Sequence, residues 1–503
     1  MEKEHERQYL EKIRKTAQAG PFLPDWESLA KKEPPQWFGE MKFGIFIHWG
    51  LYSLAAHGNE WYSRNMYIQG REEWEYHRKV YGSQKEFGYK DFIPLFTAEN
   101  FQAGEWARLA KRAGARYLIP VAEHHDGFQM YQSELSRWNA WDMGPGRDLL
   151  GEWKKAAEEE GLMFGTSSHR AEHWFFMGHG REFDSDVKEP MAKGDFYWPA
   201  MPEPEDHMDF HSRPYPSQEF LEDWILRCCE IIDRYEPCLL YFDWWVKHEA
   251  FEDGLKWIAA YYYNRAEQWR RQAAICYKYD AMAAGSGIPE IERGVFSQTM
   301  PFVWQSDTAI ANNSWCYTDN LEYKSVRQIL TILINVVCRN GNLLLNVGPK
   351  GDGAVPERDR EILEAVGEWL QVNGEAIYGS HPWRIAGEGD MAEPEGAFTD
   401  SQKIAYTRAD IRFTAREDNI YAFVLAYPED GQVTIHSLAA PESLGEQKPK
   451  QERMAFGEKI KSVQVLGSRE IPQWTQDQEG LHICTRKVRS QLPVVIQVSK
   501  SGF

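Results

Sequence analysis

A framework of cysteines, a surplus of positive charge and a long apolar run are all missing from this 503-residue chain, and each absence removes a class of protein. The seven cysteines (Cys228, Cys229, Cys238, Cys276, Cys316, Cys338 and Cys484) form no Cys-x-x-Cys pair and no regular spacing. That excludes a zinc ribbon or a disulfide scaffold and points to a reducing compartment. Lysine and arginine number 57 against 76 aspartates and glutamates, a formal charge of −19. A nucleic-acid or anionic-membrane surface needs the opposite balance, so a neutral or cationic partner is expected. No stretch approaches the roughly 18 apolar residues of a membrane span. The opening MEKEHERQYLEKIRK is charged throughout and lacks the apolar core of a secretory signal. The chain therefore reads as cytoplasmic, or as secreted or periplasmic if a signal has been removed.

Aromatic side chains are abundant instead: 21 Trp, 24 Tyr and 25 Phe. Most suit a large core, and those near polar clusters suit sugar platforms. After residue 40 the chain alternates amphipathic helices with short apolar strands. KFGIFIHW (42–49) reads as a strand. A helix around Trp106, Leu109, Ala110 and Ala113, which Thr97 is placed to cap, precedes the strand RYLIPVAE (116–123). The unit recurs as helix 147–160 before LMFGTSS, helix 218–235 before CLLYFD, then AAICYKY (273–279) and NLLLNV (342–347). Strands apolar on both faces and fed by helices imply a parallel sheet. Five or more such units predict a (β/α)8-type, TIM-like catalytic barrel over 1–384, with an N-terminal helical lead-in. Beyond the Gly- and acid-rich GEGDMAEPEGAFTDSQ come alternating runs such as IRFTA, IYAFVLAY and LPVVIQVS. These predict a C-terminal antiparallel β-sandwich over 385–503.

Barrel chemistry gathers at the C-terminal ends of the strands. His48, the run Glu123-His124-His125-Asp126, the run Ser167-Ser168-His169 and Asp243 all fall there. Asp243 ends an apolar strand among Tyr241, Phe242, Trp244 and Trp245. A carboxylate in such a box is either a helix or loop cap or a catalytic group facing a ring-shaped ligand. Glycoside cleavage needs a second carboxyl beside the first, and GIPEIERGVF offers Glu290 and Glu292 in what reads as a glycine-bounded loop. The histidines suit hydroxyl groups better than a metal. Neighbours His124 and His125 point to opposite sides of a strand unless the chain turns there.

These strings together resemble the α-L-fucosidases of glycoside hydrolase family 29. The resemblance rests on KFGIFIHWGLYSLAAHGNEWYSRNMY (42–67), GARYLIPVAEHHDGFQMYQS (114–133), WDMGPGRDLLGE (141–152) and RNGNLLLNVGPKGDGAVP (339–356). It implies a retaining exo-glycosidase that releases α-linked L-fucose from a fucosylated oligosaccharide or glycoside, without cofactor or metal. Asp243 matches the family's nucleophile. Glu292, in an Glu-Arg-Gly segment ahead of PFVWQSDTAIANNSWCY, matches the acid/base of one branch, with Glu290 in reserve. His48, Glu60, Trp61, His124 and His125 match sugar-hydroxyl ligands, and Trp315 the wall beside the fucose methyl. Lys278 stands where many members carry arginine. Where the family's third strand often ends in tyrosines, this one reads Ser167-Ser168-His169-Arg170, which implies a cation, Arg170, near the rim. An α-L-galactosidase, a transfucosidase and a silent sugar-binding protein are the alternatives. Neither a nucleic acid nor a membrane is expected as partner, and a homo-oligomer is left open.

Overall fold

The computed structural model describes residues 2–188, 191–390, 395–440 and 459–500. Eight parallel strands close a barrel in chain order: β1 (Phe43–Ile47), β2 (Tyr117–Glu123), β3 (Met163–Ser168), β4 (Leu239–Phe242), β5 (Ala274–Lys278), β6 (Ile288–Glu292), β7 (Trp304–Ala309) and β8 (Gly341–Val347). β1 pairs with both β2 and β8, which removes any free edge. Helices Ala103–Arg112, Leu149–Glu159, Gln218–Tyr235, Glu252–Trp269, Val326–Val337 and Glu357–Asn373 form the outer layer. Among the described residues no helix is long and apolar enough to cross a membrane, and all seven cysteines are free.

The inward faces of the strands explain how charge collects at one end. Strand side chains alternate with period two, so Leu239, Tyr241 and Asp243 share a face, as do Ala274, Cys276 and Lys278, and Ile288, Glu290 and Glu292. The first members pack in a dry floor with Phe46, Ile119 and Leu344. The last members stand at the open, C-terminal end.

Three expectations need correction. Glu290 and Glu292 lie on strand β6, not on a loop. Not every strand is fed by a helix: none separates β5 from β6 or β6 from β7, and PFVWQSDTA, given above only as a motif, contains strand β7. Thr97 does not cap the following helix, which starts at Ala103 with Gln102 as its cap. The buried Phe101 ring packs against Trp49 at 4.7 Å and holds the preceding segment as a loop.

The C-terminal unit consists of two antiparallel sheets. One holds β9 (His381–Glu388), β10 (Ile411–Arg416), β11 (Asn419–Val424), β13 (Ile460–Val465) and β16 (Val494–Lys500). The other holds β12 (Gln432–Ile435), β14 (Gln473–Gln476) and β15 (Leu481–Cys484). β9 runs across the 384/385 boundary read from the sequence. Part of the Gly- and acid-rich stretch, 391–394, lies outside the described residues. Ile411, Phe413, Ile420, Ala422 and Val424 face the second sheet. The opposite face of the larger sheet packs on the barrel: Trp369 Nε1 donates to Pro493 O at 2.8 Å, Arg412 Nε to Asn335 Oδ1 at 2.8 Å and Thr414 Oγ1 to Ala376 O at 2.7 Å.

Candidate active site

A cavity of about 320 Å³ opens at the C-terminal ends of the barrel strands. Its wall contains the nine residues expected to react with or bind the sugar: His48, Glu60, Trp61, His124, His125, Asp243, Lys278, Glu292 and Trp315. Glu290 is not among the lining residues. It sits one layer deeper, 5% exposed, accepting a hydrogen bond from Tyr241 OH at 2.6 Å. Burial, then the nearby Asp307, push its carboxyl well above the usual range.

Asp243 precedes the 3-10 turn Trp244–Lys247, yet its side chain caps nothing. Lys278 Nζ donates to Asp243 Oδ1 at 3.1 Å and to Glu292 Oε2 at 2.7 Å, and it lies 3.3 Å from Asp307 Oδ2. One ammonium nitrogen touching both carboxyls holds an oxygen of each within about 5.8 Å of the other.

The two carboxyls differ in proton affinity. Burial would raise Asp243, but Lys278 and then the hydrogen bond from His169 outweigh it and hold Asp243 well below the usual carboxylate range. Glu292 is pushed up to about 7, chiefly by burial; Lys278 opposes this, while Asp307 and Asp243 add to it. Burial works against the charge of Lys278, yet Asp243, Asp307 and Glu292 together keep it cationic.

The histidine tautomers follow from their partners. Asn346 Nδ2 donates to Trp315 O at 2.6 Å, so its Oδ1 is the atom facing His48 Nδ1 at 2.6 Å. His48 therefore carries its proton on Nδ1, and burial, then His169, hold the ring neutral. His125 Nδ1 donates to His169 O at 2.9 Å. Its Nε2, an acceptor in that tautomer, lies 3.6 Å from Asp243 Oδ2. Burial lowers His125 to about 3, leaving a neutral ring. Ionised Asp243 can only accept, which places a proton on His169 Nδ1, 3.2 Å from Asp243 Oδ2, while Ser167 Oγ lies 3.0 Å from Nε2. His124 and His125 both reach the cavity because the chain turns at Glu123. Gly127 N bonds back to His124 O at 3.1 Å, and the two rings lie 4.1 Å apart.

Arg170 is not at the rim. It is 2% exposed and donates to Glu123 Oε1 at 2.6 Å and Asp223 Oδ2 at 2.6 Å. Arg227 completes this set, 2.9 Å from Glu123. The residue after a strand's last inward side chain points behind the site, and Arg170 follows His169 there. Asp126 likewise turns away, accepting from Tyr89 OH at 2.7 Å. Phe242 and Trp245 are buried outside the cavity, whereas Tyr241 and Trp244 line it.

Reasoning from the sequence missed Asp307, Asn346 and the rim residues Met208, Tyr279 and Phe398. Asp307 was within reach, being two residues past Gln305 on the inward face of a strand that went unrecognised. For a cation, His48, His124 and His169 bring three donor atoms within 4.8 Å of one another, as do His125, His169 and Asp243. The imidazoles of His48, His124 and His125, held neutral by burial, also suit sugar hydroxyls.

The family profile described as alpha-L-fucosidase matches residues 9–375, and that of the alpha-L-fucosidase C-terminal domain matches 402–496. The tissue alpha-L-fucosidase of Rattus norvegicus is 30% identical over 437 residues, spanning 84% of this chain and 84% of that protein. The plasma alpha-L-fucosidase of Homo sapiens is 30% identical over 433 residues, spanning 82% and 81%. The crystal structure of Thermotoga maritima alpha-fucosidase in complex with fucose superposes with a TM-score of 0.72 at 28% identity, covering 95% of this chain and 100% of that one.

Proposed function

The chain belongs to the alpha-L-fucosidase family, and from that premise we propose that it releases terminal α-linked L-fucose from fucosylated glycosides by double displacement, with Asp243 and Glu292 as the reacting pair. One observation carries the residue assignment: Lys278 bridges a carboxyl held ionised and a carboxyl pushed up to about 7. A nucleophile and an acid at neutral pH need those two states.

Asp243 Oδ attacks the anomeric carbon while Glu292 gives its proton to the departing glycosidic oxygen. The C–O bond to the leaving group breaks as the ester bond to Asp243 forms. Esterification removes the negative charge on Asp243, which lowers Glu292 and suits it to take a proton from water in the second step. The water attacks, fucose leaves with its configuration retained, and Glu292 is protonated again. His48 and His125, neutral and fixed in tautomer, present Nε2 acceptors to sugar hydroxyls. Glu60 is steered by Trp315 N, which donates to its Oε2 at 3.0 Å. Trp315 itself gives the pocket an apolar wall where the methyl of a 6-deoxy sugar fits.

The test uses 4-nitrophenyl α-L-fucoside with wild type and Asp243→Gly, with and without azide. Wild type is expected to release nitrophenol and the variant to lose at least ~10³-fold in kcat. Azide should restore turnover and yield fucosyl azide of inverted configuration; a variant that keeps its rate, or forms no azide adduct, removes Asp243 from the role. The galactoside alternative adds one hydroxyl to the sugar, which an apolar wall rejects only weakly, so relative rates on the two nitrophenyl glycosides decide it. The two cation-donor groups favour a metal-assisted second reading, and inhibition by EDTA would be its signature.

A further inference from the structure

The floor of the cavity is polar, but its mouth is not. Met208, Tyr279 and Phe398 are 61%, 37% and 57% exposed, among the large apolar side chains most open to solvent, and all three line this one cavity beside Trp244. Exposed apolar groups gathered at a concave site mark a binding surface rather than a core.

Phe398 arrives from the other domain. It lies on the long connection between β9 and β10, which crosses back to the barrel and adheres to the end of β6. Phe398 N donates to Glu292 O at 3.0 Å, Thr399 N to Arg293 O at 2.8 Å and Gly396 N to Val295 O at 3.1 Å. Gly294 permits this approach, since a Cβ there would meet Gly396 O at 1.9 Å. Asp400 locks the segment through Arg293 at 3.1 Å and Lys324 at 3.1 Å, both partners buried.

Three of the eleven non-glycine residues with positive φ among those described lie at this mouth. Tyr279, Arg293 and Phe398 are non-glycine residues with φ of 53°, 49° and 57°. Two of them present their rings to the cavity mouth and the third follows Glu292 directly. Strain of this kind persists where surrounding structure enforces a functional placement. Lys247 knits the remaining rings together, its Nζ 4.3 Å from the Tyr279 ring centre, 4.6 Å from Phe210 and 4.9 Å from Trp244.

Resting on the fucosidase reading above, we propose that Phe398, Tyr279 and Trp244, with Met208, form the subsite for the leaving group. The chemistry that fits is a ring with an apolar face, a pyranose or an aryl group. A leaving group must depart on the side of the acid that protonates it, and Phe398 is hydrogen-bonded through its own main chain to Glu292. The floor takes the fucose hydroxyls, and the rings take the C–H or π face of what is attached to it. The C-terminal domain thereby contributes Phe398 to substrate choice.

The experiment compares kcat/KM on three donors: α-L-fucosyl fluoride, which has no ring in its leaving group, 4-nitrophenyl α-L-fucoside, and a fucosyl-galactose disaccharide. Phe398→Ala and Tyr279→Ala are each expected to lower the ratio of a ring-bearing donor to the fluoride by about 10-fold, and Phe398→Trp to recover most of it. Loss on the disaccharide alone assigns the subsite to a sugar, and loss on the nitrophenyl donor alone assigns it to an aryl group. Equal proportional losses on all three donors, or unchanged ratios, overturn the proposal while leaving the fucosidase reading intact. Failure of wild type on every donor, fluoride included, removes both.

Discussion

Lys278 serves two reacting carboxyls and Asp307 with a single ammonium, and most of the residue-scale behaviour follows from it. Lys278→Met should cost roughly 10²-fold or more in kcat/KM and move both limbs of the pH profile upward, because each carboxyl loses the cation that favours its charged form. Lys278→Arg keeps the charge and should lose much less. In the wild type, Glu292 must be protonated to act, so kcat/KM should fall as pH rises through about 7. Glu292→Gln should abolish that limb and spare fluoride donors most, since fluoride needs little protonation to leave; a limb unchanged in the variant would assign it to another group. Asp243 and the histidines were legible because each sits at a strand end inside a recognisable string, and Glu292 through its Glu-Arg-Gly segment although its strand was not recognised. Lys278 was legible only as a position where relatives differ. Phe398 carried no signal at all: its role depends on a main-chain hydrogen bond to Glu292 from a segment 106 residues further along the chain.

Among elements, β1 to β5 and β8 were readable because an amphipathic helix precedes or follows each and their cores are apolar. β6 and β7 were not, for a physical reason. Their inward faces carry Glu290, Glu292, Gln305 and Asp307 as members of the site and of the layer beneath it, so hydrophobic periodicity is absent, and no helix separates β6 from either neighbouring strand. β9, β14 and β15 escaped notice because they are short or half-exposed. Behind the site, the β3 exit, the end of β2 and helix Gln218–Tyr235 are joined by Arg170, Glu123, Asp223 and Arg227. Removing one member of a buried ionic set leaves its partners uncompensated. Arg170→Met should therefore destabilise the protein by about 3–5 kcal/mol in denaturant titration, and a cost below about 1 kcal/mol would mean that water or Arg227 takes over its role.

For the whole molecule, the two domains are joined by contacts that neither can satisfy alone. Trp369, Arg412 and Thr414 all bond across the junction, and the Trp369 and Phe423 rings stack at 6.5 Å. A chain ended at residue 380 should aggregate or lose cooperative unfolding by calorimetry, and a monodisperse, cooperatively melting barrel would show the junction to be dispensable. The barrel also has a seam. Phe43 of β1 pairs with Leu343 of β8, about 300 positions later, and at its open end the seam is fastened by the 2.6 Å bond between His48 and Asn346. During synthesis on the ribosome His48 must wait, its partner still untranslated, until nearly seven-tenths of the chain has been made. Contacts of such separation form late. The sugar site is thus assembled at the place where the barrel closes last, and recovery of enzymatic activity on refolding should track the slowest structural phase, not the earlier formation of helices.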